Sequence, residues 1–133
     1  MADESRAVLK FRAEPDAPPE PVATFATGDG IVGDREGIAI YKKPDGTGYI
    51  IVESQGDNTL KVYAREGDNR FLATLHPAEA VRSDALEATS APIGEGFPEG
   101  LVVCHSSPAK SYFVYSWADL VRGKFKTALA KPR

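Results

Sequence analysis

The chain has 133 residues, 42% hydrophobic and 26% charged, with a formal net charge of -3. That is one domain's length with an ordinary globular balance, and its acidity argues against a nucleic-acid or anionic-membrane partner. Cys104 is the single cysteine, which excludes an internal disulfide and a cysteine-rich metal site.

The opening MADESRAVLKF places acids where an export signal needs a basic region followed by an apolar one. No stretch approaches the roughly 20 apolar residues of a membrane span. Residues 8–11 form a brief predicted strand, and AEPDAPPEP after it, with four prolines, is a loop. Residues 22–25 are a second short strand, followed by the glycine-rich loop TGDGIVGDREG.

The pattern then becomes regular. Strands are predicted at 36–42, 48–53, 59–65 and 70–75, joined by KPDGTG, SQGDN and EGDN. A second set is expected at 86–89, 100–104 and 111–116, and WADLVRG (117–123) is the one helical candidate. Residues 1–123 are read as the folded unit and 124–133 as a basic tail. Cys104, inside Leu101-Val102-Val103-Cys104, reads as a small buried hydrophobe. Tyr63, Tyr112, Tyr115 and Trp117 read as packing residues. His76 and His105 lack a metal spacing and read as surface or loop residues, and no nucleophile or nucleotide-loop motif is present.

Four-stranded meanders of this length are the mark of β-propeller blades. The expected fold is therefore all-β: two to three four-stranded antiparallel blades, a partial propeller too short to close a ring of four to eight. Outer sheet faces left open by such a piece predict self-association, or completion by the remainder of a longer polypeptide.

ESQGDN, residues 53–58, interrupts two good strands with more polar groups than a hairpin needs. One reading is structural, with Gly56 at a positive φ and the Gln55 and Asn58 amides satisfying backbone groups. The other is chemical, with Glu53, Gln55 or Asp57 orienting a cation.

DREGIAIY followed by GTGYIIVESQGDNTLKVYARE resembles the central motif of the β-propeller phytases. VLKFRAEP, IGEGFPEGLVV and SYFVYSWADL resemble further segments of that family in the same order, over roughly residues 2–122 and the last half of its six-bladed ring. The resemblance implies a calcium-dependent phosphomonoester hydrolase acting on phytate or another polyphosphorylated small molecule through a metal-activated water. It also implies an extracellular or periplasmic location, which the missing export signal fits only if the chain is a fragment.

By position, the resemblance implies Asp34, Glu36, Glu4 and Asp84 as Ca²⁺ ligands and Arg65 as a weak substrate contact. An oxygen-rich acidic site suits calcium, and acids two apart in extended chain point to one side. There are departures. Ala85 replaces a glycine after Asp84, LHPAEAVRSD offers only Glu79, Ser106 stands at an aspartate position, and Ser111-Tyr112-Phe113 replaces Asn-Phe-Lys. Most substrate-binding cations of the family belong to the half-ring not matched. The isolated chain is thus expected to be weakly active or inactive. The alternative is a non-catalytic propeller module that binds a partner.

Overall fold

The computed structural model describes residues 1–78, 82 and 85–122. Ten strands form three antiparallel sheets. The first sheet holds β1 (Ala2–Asp3), β2 (Ala7–Lys10) and β3 (Ala23–Phe25). The second holds β4 (Ile38–Lys42), β5 (Gly48–Ser54), β6 (Thr59–Ala64) and β7 (Phe71–Leu75) in chain order. β8 (Leu86–Thr89), β9 (Leu101–Ser106) and β10 (Ser111–Ser116) make the third, and α1 (Trp117–Val121) follows. The fold is a partial β-propeller, as the sequence predicts; the 124–133 tail call lies outside the described residues.

The meander is written in its turns. Asp45 accepts hydrogen bonds from the Thr47 N–H and hydroxyl at 2.9 and 2.7 Å, closing the β4–β5 hairpin with the side-chain chemistry expected of Asp. Asn69 adopts φ 54° and ties the Ala64 and Arg65 carbonyls with its amide, which closes β6–β7.

The middle sheet is covered on both faces. Ala39, Tyr41, Ile51, Leu60, Val62 and Leu75 pack toward the third sheet, meeting Val102, Cys104, Tyr115 and α1. From the opposite face Ile50, Val52 and Tyr63 pack against Val8 and Phe25 of the first sheet. Alternation therefore sends neighbouring residues into two different cores, and β5 and β6 read as near-continuous apolar runs. The first sheet is too short to finish its side, leaving a 700 Å³ apolar groove beside Ile38 and Ile50.

β4 lies against β8 where Gly37 enters the strand. A Cβ at Gly37 would stand 2.6 Å from that of Leu86, so only glycine admits this approach. Toward the other end of the sheets Tyr41 stacks on Trp117, ring centroids 4.1 Å apart, and its hydroxyl donates to the Glu99 carbonyl at 2.5 Å. Burial, then the neighbouring Tyr49, pushes the Tyr41 hydroxyl up to about 12.

Cys104 is fully buried, as its apolar run predicts; burial first, then the Glu53 carboxylate, pushes its thiol up to about 12. Tyr63, Tyr115 and Trp117 are core residues, but Tyr112 is 66% exposed. The packing expectation fails there because β10 presents Tyr112 on the sheet face turned away from the core, opposite His105.

Candidate functional site

The polar hexapeptide 53–58 is a docking cleat for the loop that carries Asp34 and Glu36. Ser54 Oγ accepts from the Val32 N–H at 2.8 Å and donates to the Val32 carbonyl at 3.3 Å. The Gly56 N–H donates to the same carbonyl at 2.8 Å, and the Gln55 N–H to the Asp34 carbonyl at 3.2 Å. Residues 32–34 thus run beside the β5–β6 turn as an added extended segment. Gly56 is required for this closeness, since a Cβ there would meet the Val32 oxygen at 2.8 Å.

That corrects the expectation of a positive φ at Gly56. The left-handed residue of the turn is Asn58, at φ 57°, and asparagine tolerates that region better than most side chains.

Asp34 and Glu36 alternate with two buried residues. Arg35 points inward, its Nε donating to the Ala26 carbonyl at 2.6 Å and its Nη1 to the Glu4 carbonyl at 3.3 Å. Asp34 and Glu36 are half-buried on the opposite side, as period-two geometry predicts. Glu36 Oε1 accepts from the Gln55 side-chain amide at 3.3 Å. The loop's position is thus set from both sides, by Arg35 inside and by the 53–58 turn outside.

Glu4 sits beside this segment through its backbone, its carbonyl also accepting the Arg35 N–H at 2.9 Å, while the residue itself is exposed. Asp84 and Glu79 lie outside the described residues. Among those described, no three acidic, histidine or cysteine side chains converge as a metal cluster.

Arg65 is not brought to this rim. It follows β6 at the end opposite the 53–58 turn, roughly 20 Å away at about 3.3 Å per residue of strand. There its guanidinium donates to the Gly46 carbonyl.

The remaining polar residues of the turn have structural tasks. Asp57 accepts from the Thr59 hydroxyl at 2.8 Å and lies 3.8 Å from the Lys61 ammonium. Partial burial raises its carboxyl, but hydrogen bonds from Ser54 and Thr59 and the charge of Lys61 outweigh this and hold it below the ordinary range. Glu53 is wholly buried on the face toward Cys104, away from the rim. A 370 Å³ cavity opens beside Gln55 and Gly56, with Arg82 and Ser107 on its walls.

Arg35, Ser54 and Val32 escape sequence reasoning. The one local signal for Arg35 is its place between two acids of the opposite orientation. For Val32 and Ser54 there is none, because their partners are each other across 22 residues.

Three stacked antiparallel sheets with a pair of acids at their loop ends define a segment of a β-propeller with an acidic rim. The family model described as Phytase matches residues 1–110. The chain is 34% identical over 110 residues to the 3-phytase of Bacillus subtilis (strain 168), an alignment covering 77% of this chain. It spans 29% of that relative's length. The chain belongs to the phytase family.

Proposed function

We propose that this chain is part of a calcium-dependent phosphomonoester hydrolase whose substrate is phytate or a similar polyphosphorylated small molecule. The observation that carries the reading is the shared orientation of Asp34 and Glu36, held by Arg35 on one side and by Gln55 on the other. Carboxylate and amide oxygens are the hard donors that calcium takes, six to eight at a time. Asp34 and Glu36 would supply the core of that set, with Glu4 and Asp84 completing it.

Bound calcium would offer a water of lowered pKa and a positive surface for substrate phosphates. The residues of this chain do the positioning. The cleat fixes Asp34 through its backbone, and Gln55 fixes the Glu36 carboxylate. Arg82, on the wall of the neighbouring cavity, has a planar guanidinium suited to a phosphate oxygen pair.

The same reading places the working enzyme outside the cytoplasm, where calcium reaches the concentrations that weak extracellular sites need. Among the described residues no helix is long and apolar enough to cross a membrane. The first and third sheets each lack a blade on their outward side, so the chain alone is weakly active or inactive and completes itself with a second copy or the rest of a longer polypeptide.

One observation favours the rival, a non-catalytic propeller module. Ser106 is wholly buried and its hydroxyl accepts the Ala109 N–H at 3.2 Å, so this position contributes no carboxylate to a site. Phosphate release from phytate, with calcium and with chelator, separates the two. Calcium-dependent release supports the hydrolase. Calcium titration that is unchanged in Asp34→Asn removes the metal assignment.

A further inference from the structure

The third sheet ends in an edge that is prepared to pair with itself. Its order is β10-β9-β8, so β10 has a neighbour on one side only among the described residues. The hydrogen bond from the His105 N–H to the Ala85 carbonyl, 3.0 Å, shows that the odd residues of β9 turn their backbone groups toward β8. Val102, Cys104 and Ser106 therefore face β10, where they meet Tyr115, Phe113 and Ser111. The N–H and C=O groups of Tyr112 and Val114 must then point away from β9, along the outer edge.

The side chains of these two residues lie on the sheet's outward face, opposite His105 and Val103, and are 66% and 51% exposed. Ser111–Ser116, SYFVYS, has neither charge nor proline, the usual means by which an edge resists pairing.

We propose that β10 pairs antiparallel with β10 of a second copy about a two-fold axis at Phe113, joining the two third sheets into one. The register follows from three constraints. Side chains directly opposite in an antiparallel pair lie on the same face, so the two residue numbers in each pair must be both even or both odd. The outward backbone groups of both Tyr112 and Val114 must be used. Ser116 is already the N-cap of α1 and is unsuited to a ladder.

Centring on Phe113 meets all three and sets Tyr112 against Val114 of the second copy, twice by symmetry. This is an aromatic and β-branched cross-strand pair, a combination that stabilises sheets. Charge agrees with the direction. An antiparallel arrangement brings Lys110, before β10, to the end where the second copy carries Asp119 in the first turn of α1. The pairing is isologous and closes at two copies. It concerns the edge and face of the third sheet alone, and is independent of the calcium reading.

The test uses the whole purified chain. Sedimentation velocity over a range of concentrations is expected to show a reversible monomer–dimer equilibrium. Val114→Lys places like charges near the two-fold and should weaken it at least about tenfold, with an unchanged far-UV spectrum. Register is read by cross-linking. Tyr112→Cys protein mixed with Val114→Cys protein should form disulfide-linked dimers, since directly opposed Cα atoms about 5.5 Å apart can be bridged. Either variant alone should link poorly, its cysteines being offset along the strands.

Dimers that persist in Val114→Lys, or cross-linking no better in the mixture than in the separate variants, would overturn the proposal. So would a monomer at all concentrations. If that monomer also shows Tyr112 and Val114 amides protected from exchange, the edge is covered by the chain's own residues.

Discussion

The Gln55 side-chain amide donates to Glu36 Oε1 across 3.3 Å and joins a turn of the middle sheet to the loop entering it. Through this contact the hexapeptide 53–58 acts on the acids. Gln55 is a positioning residue in the proposed metal site, and its backbone N–H holds Asp34 at the same time. Gln55→Leu keeps the backbone bond and removes the amide. Calorimetric titration should show calcium affinity reduced about tenfold, with a melting temperature within a few degrees of the parent. Unaltered affinity would separate Gln55 from the site.

Gly56→Ala tests the cleat itself. The added methyl would meet the Val32 carbonyl oxygen at 2.8 Å and Val32 Cγ1 at 2.9 Å, so the loop must withdraw or the turn must distort. Overpacking of this kind costs about 1–3 kcal/mol. Urea unfolding should show a loss in that range and, if the loop withdraws, a weaker response to calcium. A fully stable variant would show that residues 32–34 are not held where Gly56 receives them.

The Asp57–Lys61 pair gives an acid-side prediction. The Asp57 carboxyl is held below its ordinary range, so its contribution is present above the unfolded-state pKa and fades as pH falls through the folded one. Asp57→Asn should flatten the acid limb of a stability–pH curve. The Lys61 ammonium, 4% exposed as a residue, would lose its neighbouring charge, at a cost of about 1–2 kcal/mol at neutral pH because the pair is partly solvated. Lys61→Met should be close to neutral. The reverse order of costs would refute the pairing.

At high pH the sign reverses. Cys104 is raised from 9.0 to about 12 and Tyr41 from 10.0 to about 12, each first by burial. Both favour the folded state fully below their unfolded values and lose that contribution as pH climbs toward 12. Denaturant titrations should show stability falling from about pH 9 upward, and Tyr41→Phe should lessen the fall between 10 and 12. Cys104 should resist thiol reagents at pH 8 until the chain unfolds.

The second sheet was legible because each of its hairpins carries its own turn residues and each strand is β-rich on both faces. Two-sided burial produces continuous apolar runs such as Tyr49-Ile50-Ile51-Val52, which composition alone announces. β1 was not legible: two residues long, it is held by backbone bonds such as that from the Leu9 N–H to the Met1 carbonyl. Asp34 and Glu36 were found by resemblance, and their shared side by spacing. The reason for Gly56 was hidden because its neighbour, Val32, is remote in sequence. The local preference of glycine for positive φ pointed to the wrong constraint.

The loop carrying Asp34 and Glu36 makes its defining bonds to a turn that lies after it in the chain. β5 and β6 can zip together from residues 48–64 alone, whereas residues 32–36 find their places only on the finished turn. Acidic-rim formation is therefore a late step in folding, and its loss an early step in opening. In native-state hydrogen exchange, the Gln55 and Gly56 amides should open at lower free energy than Ile51 and Val62 in the doubly covered strands. Any ion seated on the rim would slow those two amides first, so they report occupancy without a catalytic assay.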